Sequence, residues 1–297
     1  MESDSHARLW RVVAEGQPLL PDDCSYLTAM FREMYSTADW LWGWKLVRVA
    51  IWNDRDDTVV PLLRALAVRN FADTLNGRCA PMGHYTPLMA AAVYGSSRAA
   101  WSLLQAKADV EFTHSGYHRA VVTASCHGHA DVVCVLAHAK ATLGEVKGAA
   151  PLSYAVSSDR ADVVSVLLEH KATANFVDMW GATPLCIAST RGNVHIARLL
   201  IEGGADVNGV SRVENLPFRR KRRNNGLDED NATERERSGT SLSCAVARGD
   251  DDMVRLLIGL KADVHKSRCR PPARRATTVQ LLLDAKARIS YTDGAVV

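Results

Sequence analysis

DMWGATPLCIASTRGNVHIARLLIEGGADVN, Asp178 to Asn208, reads as one turn, one short helix, a tight bend, a second helix and a loop. Gly181 supplies the turn, Thr183 can cap the first helix with its hydroxyl, and Pro184 sits where the opening turn of a helix tolerates a missing N–H. Leu185, Ile187 and Ala188 give that helix an apolar face, and Gly192 ends it. Ile196, Leu199, Leu200 and Ile201 then form the stripe of a second amphipathic helix. Neither helix is long enough to be stable alone, so the unit needs neighbours of its own kind.

Working outward, the same order of helix, bend and helix appears in Ala124 to Val133, Ala155 to Val164 and Ala245 to Val254, while Thr86 to Ala92 shares the opening. Aligned on the first-helix alanine, Ala91, Ala124, Ala155, Ala188 and Ala245 are spaced by 33, 31, 33 and 57 residues. A second ruler lies at the far end of each unit: Lys107-Ala108-Asp109-Val110, Lys140-Ala141-Thr142-Leu143, Lys171-Ala172-Thr173-Ala174, Gly204-Ala205-Asp206-Val207 and Lys261-Ala262-Asp263-Val264. Two independent rulers agree on one period, which is the signature of a stacked array.

Gly-x-Thr-Pro-Leu-x-x-Ala, then a mid-unit glycine before Leu-Leu, then Gly-Ala-Asp-Val-Asn resembles the ankyrin repeat, and the resemblance covers roughly residues 43 to 291. It implies an all-α solenoid of stacked helix-turn-helix repeats with β-hairpin-like loops, about five full repeats plus divergent or truncated caps. Residues 1–38 are expected as a helical N-terminal extension, and 39–82 as a divergent capping repeat and linker. Regular repeats are expected over 83–208, a charged mobile insertion over 209–237, and one repeat plus a truncated one over 238–291. Ala50, aligned on Ala245, sets the register of the divergent first repeat, with Ala72-Asp73-Thr74 as its terminal loop. Trp40, Trp42, Trp44 and Trp52 crowd that unit, as core or cap packing or as an exposed aromatic interface. Pro271-Pro272 stands where the last repeat would build its first helix, leaving Val279 to Leu283 as a second helix without a first. Order is expected to fall away beyond Asn208.

One departure from the family is systematic. The residue before the loop alanine, usually glycine in a left-handed conformation, is Lys107, Lys140, Lys171, Lys261 and Lys286, and only Gly204 keeps the rule. Either those helices end differently, or the array carries a modest strain at each lysine.

At 297 residues and 47% hydrophobic content the chain can bury a sizeable core, and a net charge of +3 does not by itself imply nucleic acid. There is no apolar run long enough for a membrane span, and the acidic start MESDSHARLW lacks the order of a signal peptide. Seven cysteines, an odd number, with Cys126, Cys134, Cys186 and Cys244 in predicted helices, fit reduced thiols and a cytoplasmic location. Arg219-Arg220-Lys221-Arg222-Arg223 in the insertion could serve nuclear import or contact an anionic surface, although Asp228-Glu229-Asp230 follows closely enough to neutralise it.

Cys126, His127, His129, Cys134 and His138 are the best metal-ligand candidates, but the paired spacing of a zinc module is absent, and neither metal nor cofactor is expected. No nucleophile elbow, phosphate loop or H-E-x-x-H occurs, so the chain does not read as an enzyme. Protein recognition remains, with an enzyme-associated or metal-binding activity in residues 1–82 as the alternative. The resemblance places partner contacts at loop tips and at the ends of first helices. Thr190 and Arg191 are the two variable positions counted from Pro184, and their counterparts are Val93 and Tyr94, Cys126 and His127, Ser157 and Ser158, and Ala247 and Arg248. With the tip residues Met179 and Trp180, the expected partner-binding set is Tyr94, His127, Ser158, Met179, Trp180, Thr190, Arg191 and Arg248. The expected partner is a protein, without a small-molecule substrate, nucleic acid or a membrane span.

Overall fold

The alanine ruler marks positions at the centre of the packing between neighbouring helices. Ala50, Ala91, Ala124, Ala155, Ala188 and Ala245 are all fully buried, and a small side chain suits a close-packed contact between helices. Four residues after each alanine the chain bends through a left-handed conformation: Gly95, Gly128, Gly192 and Gly249 have φ between 72° and 87°, and Asp54 and Asp159 take the same turn at 53° and 60°. Asp54 lies four residues after Ala50, so the first helix pair turns at the same register as the others. Aspartate is one of the few side chains that tolerates this conformation.

A computed structural model describes residues 2–15, 23, 25–27, 29, 37–67, 71–77, 85–113, 119–144, 150–178, 181–212, 238–266 and 276–285. The chain divides into two compact units, residues 1–143 and 144–297.

In the first unit, α1 (Glu2–Glu15) packs on α2 (Thr37–Trp52), and three hairpins follow: α2 with α3 (Asp56–Leu66), α5 (Pro87–Tyr94) with α6 (Ser97–Gln105), and α7 (Ala120–His127) with α8 (Ala130–His138). The first helices α2, α5 and α7 lie side by side as one layer, and α3, α6 and α8 form the second. Between α3 and α5, Phe71–Leu75 forms a short helix, α4, that packs on α3. This corrects the expectation of a loop at Ala72-Asp73-Thr74; Leu75 is 2% exposed, and closing one helical turn is what carries it inward.

The second unit repeats the scheme with α9 (Pro151–Ser157) and α10 (Ala161–Glu169), α11 (Pro184–Arg191) and α12 (Val194–Glu202), and α13 (Ser241–Arg248) and α14 (Asp251–Gly259). α15 (Ala276–Asp284) packs on α14, burying Leu282 and Thr278. Between α12 and α13, β1 (Val210–Arg212) pairs antiparallel with β2 (Ser238–Thr240), so Val210 faces Thr240 and Arg212 faces Ser238. The expected insertion therefore begins with an ordered strand. Regularity also resumes beyond Asn208, because Thr240 caps α13 and Asp250 caps α14. Residues 213–237, with the basic run, lie outside the described residues.

Local chemistry explains the helix starts. Thr86, Thr183 and Thr240 each accept a backbone N–H from the third residue on, at 3.2, 3.3 and 3.4 Å. Arg119 occupies the same position before α7 and cannot accept a bond. Its side chain is instead 2% exposed, with Nη1 donating to Thr142 O at 2.5 Å and lying 3.3 Å from Glu111 Oε2.

Glu111 belongs to a second recurring contact. In the first unit Asn76 Oδ1 accepts Asp109 N–H at 2.9 Å, and Glu111 Oε1 accepts Thr142 N–H at 2.5 Å. In the second unit Asn175 accepts Asp206 N–H at 2.6 Å, and Asn208 accepts Asp263 N–H at 2.7 Å. Each bond ties the loop of one repeat to the next. Where glutamate replaces asparagine it brings a charge, and buried Arg119 is the cation that meets it.

The lysines of the second ruler end their helices as glycine would. Lys107, Lys140, Lys171 and Lys261 have φ of 74°, 64°, 62° and 62°, alongside Gly204 at 90°. Lys286 lies outside the described residues.

Candidate protein-interaction surface

Each first helix is buried along most of its length and emerges at its C-terminal end. In the first unit Trp52 is 66% exposed and Tyr94 39%, and their rings stack with centroids 6.3 Å apart and planes 24° from parallel. Trp44, from the same tryptophan-rich stretch, is buried. Nothing is described of the side chains of Trp40 and Trp42. Carried back to Ala50, the alanine ruler puts Trp52 at the register of Val93 and Cys126, so the signal for this residue was present in the spacing.

His127, at the register of Tyr94, is exposed; its Nδ1 donates to Thr123 O at 2.9 Å, and its ring stacks on His129 at 6.1 Å. His129 Nε2 donates to Val93 O at 3.0 Å, which ties the third helix pair to the end of α5. Gly95 faces that ring: a Cβ there would come within 2.5 Å of His129 Nδ1. Cys134 Sγ and His138 Nδ1 lie 3.5 Å apart on one face of α8, and His138 Nδ1 donates to Cys134 O at 2.8 Å. His129 is engaged elsewhere, and the five candidate metal ligands do not gather as one set.

In the second unit Ser158 is half-buried at the end of α9, and Arg191 is exposed at the end of α11. Thr190 Oγ1 donates to Cys186 O at 2.7 Å. Arg248, at the register of Arg191 in the next repeat, donates from Nη1 to Thr190 O at 3.0 Å and lies 3.8 Å from Asp250 Oδ2. Asn193 Nδ2 donates to Asp159 Oδ1 across the preceding pair of bends. The structure thus brings Thr190 and Arg248 together; Met179 and Trp180 lie outside the described residues.

In residues 1–82 Leu9, Val12, Val13, Leu46, Val47, Leu62 and Leu63 are buried, whereas Trp10 and Trp52 are exposed. No helix among the described residues is long and apolar enough to cross a membrane.

The family model for ankyrin repeats matches residues 121–211 in three copies. Residues 121–211 are ankyrin repeats. The crystal structure of the human ASB11 ankyrin repeat domain is similar to it over 82% of this chain and 99% of that one, with a TM-score of 0.59 and 20% identity. At that identity the likeness concerns the fold, an all-α ankyrin solenoid. No curated protein matches this chain in sequence. Repeat proteins of this kind use extended surfaces built across successive units to bind protein partners.

Proposed function

We propose that the protein is a non-catalytic interaction module, an adaptor that holds a partner protein on the concave face formed by the ends of its first helices and its loop tips. One observation carries this reading. At the ruler position every repeat buries the same alanine, whereas three residues later the side chains are Tyr94, His127, Ser158, Arg191 and Arg248. The fold requires identity at the first register and leaves the second open. Side chains that vary among the repeats at one register suit recognition of one specific, unsymmetrical partner. Tyrosine, tryptophan and arginine are favoured interface anchors, and the short helices that carry them are already ordered before binding.

The test is affinity capture with the full chain as bait. Tyr94→Ala with Arg191→Ala should retain the helical circular dichroism of the wild type and lose the proteins that the wild type enriches. Equal enrichment by folded wild type and double variant would refute the concave face as the binding surface. We further propose a cytoplasmic location with nuclear entry through Arg219, Arg220, Lys221, Arg222 and Arg223. Fluorescent fusions with and without alanine at these five positions test it, and identical distributions would refute the import role.

A further inference from the structure

The second unit contains a pair of thiols that the interaction surface does not use. Cys186 on α11 and Cys244 on α13 are both free and both buried, at 0% and 7% exposure. The two helices pack directly on each other. Cys186 Sγ lies 3.4 Å from Ser241 Oγ, and Cys244 follows Ser241 by three residues, on the same face of the same helix. Hydroxyls line the site: Ser211 Oγ accepts Thr183 N–H at 2.9 Å and donates to Thr183 Oγ1 at 3.3 Å, which joins β1 to the start of α11.

We propose that Cys186 and Cys244 are an oxidative modification site, closing to a disulfide that staples two successive repeats across the base of the 213–237 insertion, with a peroxide as the oxidant. In the first step the Cys186 thiolate attacks one peroxide oxygen, the O–O bond breaks, and the departing hydroxide takes up the proton that Cys186 released. Cys186 is then a sulfenic acid. In the second step the Cys244 thiol attacks that sulfur, the S–O bond breaks, and water leaves with the Cys244 proton. Two thiols are oxidised and one hydrogen peroxide is reduced to two waters.

The order of the steps follows from the surroundings. The hydrogen bond from Cys244 lowers the Cys186 thiol, assisted by Ser211, Ser241 and Thr183, while the same bond and burial raise Cys244. Cys186 also lies in the first turn of α11 with the Ser241 hydroxyl 3.4 Å from its sulfur, a setting that favours a thiolate, so it is the first nucleophile and Cys244 the resolving thiol. Burial selects the oxidant by size, since hydrogen peroxide is barely larger than water, whereas oxidised glutathione must bring a bulky disulfide to a sulfur that has no exposed surface.

The experiment treats the reduced, full-length protein with a few equivalents of hydrogen peroxide or with oxidised glutathione. Remaining thiols are alkylated in denaturant, and peptides are mapped by mass spectrometry without reduction. The expected product is a Cys186–Cys244 linked peptide, 2 Da lighter than the two free peptides, formed with peroxide and not with oxidised glutathione. The urea midpoint of the second unit should rise on oxidation and return with dithiothreitol. Cys186→Ser and Cys244→Ser, checked for wild-type circular dichroism, should each abolish the midpoint shift. If either variant fails to fold, the peptide map of the wild type still decides. The proposal is overturned if peroxide leaves both thiols alkylatable while Cys126 or Cys134 is oxidised. It is equally overturned if the link forms only in denatured protein, or if oxidised glutathione forms it as fast as peroxide.

Discussion

Replacing Lys107, Lys140, Lys171 and Lys261 by glycine should stabilise the protein, and the size of the gain can be worked out site by site. All four residues have φ between 62° and 74°, where a side chain costs about 1–2 kcal/mol through the contact of Cβ with the following carbonyl. Glycine removes that contact but adds freedom to the unfolded chain, which returns about 0.4–1 kcal/mol. Each lysine also places its charge near the C-terminal end of a helix, a contribution of about 0.3–1 kcal/mol that salt screens. Measured in high salt, the net gain should be about 0.5 kcal/mol per site. The sites belong to different repeats, so their effects should add to about 2 kcal/mol for all four. Equilibrium urea unfolding is the assay, with Lys107→Gly/Lys140→Gly and Lys171→Gly/Lys261→Gly made separately because they belong to different units. A gain of about 1 kcal/mol per pair corresponds to a midpoint shift of about 0.5 M for an m-value near 2 kcal/mol/M. Alanine at the same positions is the control, since it removes the charge and keeps the strain. If alanine stabilises as much as glycine, charge repulsion rather than backbone conformation is the cost. If glycine destabilises, the reasoning fails.

Arg119→Met should cost about 2 kcal/mol, below the usual figure for breaking a buried ion pair because Glu111 is 36% exposed. Arg119→Thr with Glu111→Asn should recover most of that loss by restoring the hydroxyl cap and the amide tie, and thermal unfolding of the single and double variants measures the coupling. Gly95→Ala should lower stability by more than about 1 kcal/mol, because it combines a left-handed backbone with a Cβ that would press into the His129 ring; urea denaturation checks it. Asp57 is held below its ordinary carboxyl value of 3.8, chiefly by the hydrogen bond from Arg55. Its folded-state value is depressed, so its contribution is present above that ordinary value and is lost as pH falls through the folded one. Half-exposed Asp57 is screened, so the effect is small: wild type should exceed Asp57→Asn slightly in stability near pH 7, and the two should converge only once pH has fallen through the depressed folded-state value, in an acid titration followed by circular dichroism.

The fold was largely legible because an array repeats its constraints. Ala188 and Gly192 could be recognised in a well-formed unit and then followed to Ala50 and Asp54, where most other similarity is lost. The second ruler exposed the lysine anomaly, but only backbone angles decide how those helices end. Other features depend on which residues a fold brings together across intervals that no local pattern records. Glu111 and Arg119 each look like a departure at its own position, and only together do they form a compensated pair. Cys186 and Cys244 are 58 residues apart with an insertion between them, so nothing in their spacing suggests contact. Trp44 and Trp52 share a helix and a residue type, and their opposite burial depends on what the assembled layer packs against each.

The pairing of Val210–Arg212 with Ser238–Thr240 also bears on how such a chain can change. Facing residues of an antiparallel pair lie about 5 Å apart, so residues 213–237 leave and re-enter the array at nearly one point. Doubling the length of a loop closed in this way costs only about 0.6 kcal/mol, and the helices on either side need not move to accommodate it. The position between Arg212 and Ser238 therefore acts as a port in the scaffold. Whole segments could be exchanged there, through evolution or by design, while the repeats on either side keep their stacking.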